Sequence, residues 1–189
     1  MNPIQAEYFP AIAIKPATRC IPSRCFAQVP SPALIDHLAQ TFQKTAGDLK
    51  AVTEALIDSD EAWTTPATKL KNPQEFLLSS ARALDVQPDD PRPLLNALTN
   101  LGQPLWRPSG PNGFGDTNDV WASPEGIKVR LEVASLMARK AKSQTSPNEL
   151  LVQICGPAIS VETKQAVARA ESKPQALALL LMSPEFQRR

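Results

Sequence analysis

The chain has 189 residues, 42% of them hydrophobic, enough for a sizeable core in one domain or one domain plus a small appendage. Its 20 Lys and Arg against 19 Asp and Glu give a formal net charge of +1, which leaves no electrostatic footprint for nucleic acid. Three cysteines and one histidine are too few for a disulfide framework or a four-ligand zinc site, and no apolar run reaches the ~20 residues of a membrane span.

Residues 1–29 read as a poorly organised N-terminal segment. Pro3, Pro10, Pro16 and Pro22 interrupt it at short intervals, and Ala11–Ile14 is a β-like run of only four residues. The segment lacks a basic stretch followed by a clean apolar core, so it is not a secretory signal, and a cytoplasmic location is the default expectation. Cys20 and Cys25 read as free thiols, with pairing as the alternative.

From Ser31 onward one piece of punctuation recurs: a capping residue followed by proline. Ser31-Pro32, Asn72-Pro73, Asp90-Pro91, Ser123-Pro124, Ser146-Pro147 and Ser183-Pro184 all fit it. The cap oxygen accepts an orphan backbone N–H, and proline at the first helical position gives up a donor that had no partner. Glu75, Glu125, Glu149 and Glu185 add acids to first turns.

Apolar stripes follow the caps. Leu34, Ile35, Leu38, Ala39 and Phe42 make the first, with His37 a packing residue beside it. Leu49, Val52, Leu56 and Ile57 make the second, for which Thr45 is the expected N-cap. The acids Asp58, Asp60 and Glu61 then read as a solvated helix end. Phe76, Leu77, Ala81 and Leu84 form a third stripe, and Leu94, Leu95, Leu98 and Leu101 a fourth that Gly102 terminates. The helix over 124–142 carries Ile127, Val129, Leu131, Val133, Ala134, Leu136 and Met137, too wide for a surface stripe, and is expected to be central. Its basic run Arg139, Lys140, Lys142 suits a last turn. Leu150, Leu151 and Ile154 mark a short helix stopped by Gly156-Pro157, and Ser160 caps another carrying Val161, Ala166, Val167 and Ala170. The last helix, Ala176–Met182, is apolar all round and is expected to be buried. Phe186 should fold back onto the core, leaving Gln187, Arg188 and Arg189 in solvent. The fold class is all-α: an irregular multi-helix bundle of about seven to eight helices over residues 30–189, with one long ordered loop.

That loop is Leu101–Pro124, which holds Trp106, Trp121 and four of the seven glycines. Gln103, Arg107, Asn112, Asp116, Asn118 and Asp119 supply polar groups near the two indoles. The tryptophans either pin the loop to the helices, with Asn112-Gly113 and Gly115-Asp116 as turns, or form a ligand platform. On the second reading the candidate ligand-binding residues are Gln103, Trp106, Asn112, Asp116, Asp119 and Trp121. Asp116 and Asn118 resemble the start of a calcium loop, but its glycine and distal glutamate are missing. No nucleophile elbow, Walker loop, dinucleotide fingerprint or zinc helix occurs, so no catalytic residue, cofactor or metal is expected.

Several segments together resemble one bacterial family, catalogued as domain of unknown function 1800. They are PSPALIDHLAQTF (30–42), GDL (47–49), KLKNPQEFLLSSARAL (69–84), LGQPLW with PNGF downstream (101–114), WASP (121–124) and ALALLLMSPEFQRR (176–189). The resemblance is to the C-terminal portion of that family. It implies a mostly helical protein without an assigned activity, whose longer members are often exported and carry a large N-terminal portion not seen here. Members usually have Gly-Trp-Pro where this chain has Gly113-Phe114-Gly115, and residues 16–29 look like a degraded family helix. The expectation is a structural or interaction part rather than a catalyst, whose partner is a protein or the missing N-terminal portion. The alternatives are a ligand-binding module for carbohydrate or protein, acting through the 101–124 loop, and a truncated remnant.

Overall fold

The computed structural model describes residues 31–64, 68–142 and 144–188. The expectations placed on Ala11–Ile14, Cys20, Pro22 and Cys25 lie outside these residues. Eleven α-helices and no strand occur among the described residues, and eight of the helices have seven or more residues. The chain divides into two compact units, Met1–Lys69 and Leu70–Arg189.

In the first unit, α1 (Pro32–Lys44), α2 (Leu49–Ile57) and α3 (Asp60–Thr64) enclose Leu34, Leu38, Val52, Leu56 and Ala62. Ser31 caps α1 by accepting from the Leu34 N–H at 3.1 Å, and its hydroxyl donates to the Glu61 carboxylate. Asp60 and Glu61 therefore begin a helix rather than trail one, where their charge suits the dipole. Thr45 is not the N-cap of α2. It ends α1, with Ala46 at φ +52°, the Ala46 N–H on the Gln43 carbonyl and the Gly47 N–H on the Phe42 carbonyl. This is a Schellman closure, and the sharp reversal moves the cap of α2 on to Asp48, which accepts from Lys50 N–H at 2.9 Å.

The second unit runs through α4 (Pro73–Ala83), α5 (Arg92–Asn100), α6 (Asn118–Trp121), α7 (Pro124–Arg139) and α8 (Pro147–Cys155). A 3₁₀ turn at Gly156–Ala158 leads to α9 (Val161–Ala168), α10 (Lys173–Met182) and α11 (Pro184–Gln187). Five of the six predicted cap-proline pairs form as expected. Ser31, Asn72, Ser123, Ser146 and Ser183 each accept from the backbone N–H three residues on, and Asn72 and Ser146 complete reciprocal capping boxes with Glu75 and Glu149. Asp90 fails as the cap. Its carboxylate is taken by the Arg92 side chain and N–H, and α5 starts one residue later with Pro91 at the cap position. Ser160 caps α9 as expected.

The core of this unit is built around α10, which buries Ala176, Leu177, Ala178, Leu180 and Leu181. The helix expected to be central, α7, packs along α10 and also touches α4 and α5, burying Arg130, Ala134, Met137 and Ala138. Leu131 and Leu136 stay 51% and 59% exposed. Val129 and Val133 are half-buried against the core, so the apolar positions of α7 are shared among several neighbours and only part of its circumference stays exposed. Ala134 and Ala138 on the buried row permit close approach to α10.

Candidate functional site

The 101–124 loop is ordered by local chemistry at both ends. Gly102, at φ +83°, closes a second Schellman motif: its N–H donates to the Thr99 carbonyl and the Gln103 N–H donates to the Leu98 carbonyl at 2.9 Å. The Gln103 side chain then accepts from the Gln74 N–H at 2.9 Å, satisfying an orphan donor in the first turn of α4. At the other end, the Asn118 side chain accepts from the Leu70 N–H at 2.8 Å. Two polar residues of the predicted cluster thus serve to tie the loop down.

The two indoles differ sharply in burial. Trp121 is only 5% exposed, and the Phe114 ring lies 6.5 Å from it, tilted by 49°. Phe114 therefore packs beside the buried anchor. Trp106 is 89% exposed. It is the third residue of a turn in which the Arg107 N–H donates to the Pro104 carbonyl at 3.2 Å, and its φ is +58°. That position of a type II-like turn favours glycine or asparagine, and a bulky residue there is strained by about 1–2 kcal/mol. Leu105 beside it is also exposed. Asn112 and Asp119 are exposed and Asp116 is half-buried. Among the described residues, no group of three or more His, Cys, Asp or Glu is placed to hold a metal ion.

The unit also contains a buried polar clasp that sequence reasoning missed. The segment Leu70–Lys71 pairs with the end of α11: the Lys71 N–H donates to the Gln187 carbonyl at 2.8 Å, and Leu70 forms an antiparallel bridge with Arg188. Arg130, 1% exposed, reaches into this junction from α7. Its Nη1 donates to Gln187 Oε1 at 2.9 Å, its Nη2 to the Lys71 carbonyl at 2.6 Å, and its guanidinium lies 5.0 Å from the Phe76 ring centre. Burial pulls the guanidinium down to about 10, with the Glu75 charge opposing the shift. Gln187 Nε2 donates to the Leu181 carbonyl at 2.7 Å, so Gln187 is buried rather than solvated as the sequence suggested. The Lys71 ammonium sits 4.0 Å from the Phe186 ring centre, and burial lowers its pKa.

Glu185 completes the clasp. It accepts from the Ser160 N–H at 2.9 Å and from the Thr163 hydroxyl at 2.9 Å. Burial pushes its carboxyl up, but these hydrogen bonds outweigh that and hold it at about 2. Burial and the Glu185 charge push the Cys155 thiol up, away from the nucleophilic thiolate. The run SPEFQ thereby resolves into separate tasks: a cap, a first-turn proline, a carboxylate bound by α9, a buried ring and an arginine acceptor. A charged residue on the buried row of α7 was the available signal for Arg130, although its partner could not be read from spacing.

The fold defines an all-α protein whose polar residues in the clasp are committed to holding helix ends together. No helix among the described residues is long and apolar enough to cross a membrane. The family model described as "Protein of unknown function (DUF1800)" matches residues 17–188, and the chain belongs to that family. The match takes in residues 17–29, N-terminal to the segments that carried the resemblance. Searches of curated proteins and of solved structures gave no match.

Proposed function

We propose that the chain is a non-catalytic helical module that makes a protein contact through the Leu105–Trp106 turn. The observation that carries this reading is the strained display of Trp106. A large aromatic side chain occupies a glycine-type backbone position while burying almost none of its surface. Strained backbone held by surrounding structure concentrates at functional positions, and exposed tryptophan is the side chain most enriched at interface hot spots. Gln103 and Gly102 supply the support: they fix the chain entering the turn, so the indole is held out on an ordered base. The clasp acts in this reading as scaffold. Its arginine and its carboxylate are each bound within the unit.

A photoreactive amino acid placed at Arg107 in cells of the source organism tests the proposal. One discrete protein adduct is expected, and Trp106→Ala should abolish it without lowering the melting temperature. No adduct, or an adduct of unchanged yield in Trp106→Ala, overturns it. Trp106→Gly gives an independent reading. It should be as stable as the natural chain or more so while also failing to form the adduct.

A further inference from the structure

A groove of about 530 Å³ opens between α4, the loop after it, α5 and α7. Leu77, Ala81, Leu94, Ala97, Val133 and Met137 line it, so its walls are mainly apolar. Both its size and its lining match small-molecule sites, which bury an apolar body and fix its orientation with a few polar groups.

The charged residues of the lining are Asp89 and Asp90 from the loop and Lys140 and Lys142 from beyond the end of α7, with Gln87 as a neutral polar neighbour. They do not cancel. The Asp90 carboxylate is already held by the Arg92 side chain, with Nε 2.9 and 3.1 Å from its two oxygens. That leaves Asp89 against two lysines, for which no carboxylate among the described residues lies within ion-pair distance. The Lys142 backbone is fixed beside the groove by its N–H, which donates to the Leu84 carbonyl at 3.3 Å. We infer that the groove binds a single-chain amphiphile with an anionic head group, its alkyl chain against the apolar walls and its carboxylate at Lys140 and Lys142. The inference rests on residues separate from the Trp106 turn and stands or falls independently of it.

Calorimetric titration of the full chain with decanoate, decanol and decylammonium, all below micelle formation, tests it. Saturable one-to-one binding of decanoate is expected, roughly tenfold tighter than decanol, with decylammonium weaker still. Lys140→Glu/Lys142→Glu should erase or reverse that order while leaving helical circular dichroism and the melting temperature unchanged, because both lysines are exposed. Ala97→Leu, which fills the groove, should weaken all three. Equal affinity for the three ligands, decanoate binding that survives the charge reversal, or no saturable binding would each overturn the inference. Should Ala97→Leu fail to fold, the charge-reversal pair decides alone.

Discussion

Replacing Gln187 with alanine removes two buried hydrogen bonds at once, the one it accepts from Arg130 Nη1 at 2.9 Å and the one it donates to the Leu181 carbonyl at 2.7 Å. A hydrogen bond to a charged group contributes about 1.5–3 kcal/mol and a neutral one about 0.5–1.5. The guanidinium has little access to water at 1% exposure, so Gln187→Ala leaves one of its donors unpaired in the interior. The expected loss is about 3 kcal/mol. For a unit of about 120 residues the unfolding entropy near the midpoint is roughly 0.25 kcal/mol per degree, so the melting temperature should fall by about 12 °C. Urea titration followed by circular dichroism would measure the free-energy loss, and a thermal scan the shift in midpoint. Arg130→Met, which keeps an apolar side chain beside Phe76, closes a double-mutant cycle with a coupling of about 1–2 kcal/mol. A loss below about 0.5 kcal/mol for Gln187→Ala, or strict additivity in the cycle, would refute the clasp as a stabilising unit.

Three further outcomes follow from the same geometry. Glu185 has a folded pKa of about 2 against an ordinary 4.5, so its stabilisation is complete above pH 4.5 and is lost as pH falls toward 2. Glu185→Gln should flatten that part of the stability–pH curve, and an unchanged curve would show that the carboxylate contributes nothing. Trp121→Ala should cost about 3–5 kcal/mol and Trp106→Ala less than about 0.5, read by urea denaturation of each variant, because only the first ring is buried. Ala46→Gly should stabilise the first unit by up to about 1 kcal/mol, since φ +52° strains alanine but not glycine; a raised midpoint in differential scanning calorimetry checks it.

Local chemistry was legible in the sequence to the extent that it was self-contained. A serine or asparagine before proline announces a cap because cap, proline and the donor three residues on all lie within one turn. Asp90 broke the pattern because Arg92, two residues away, competes for the same carboxylate. Thr45 misled because αL alanine at 46, with glycine one place later, does not look like a helix end. The two tryptophans sit in similar Pro- and Gly-rich surroundings. What distinguishes them is tertiary: Phe114 lies beside Trp121, and a two-residue turn turns Trp106 outward. Gln187 was read as solvated for the same reason, since its partner is 57 residues away. The groove was invisible because its walls come from three helices, each with an unexceptional stripe.

Arg130 draws its two hydrogen-bond partners from 59 residues before it and 57 residues after it. Such a junction buries little apolar surface for the two long loops it closes, so its contacts are expected to form late in folding. The capped helices and the α7–α10 packing can assemble first, with the guanidinium still hydrated. On that order of assembly the guanidinium would lose its water as Phe186 and Gln187 arrive. Substitutions at the clasp should therefore accelerate unfolding while leaving the folding rate nearly unchanged, so the junction governs how long the native state lasts more than how fast it forms.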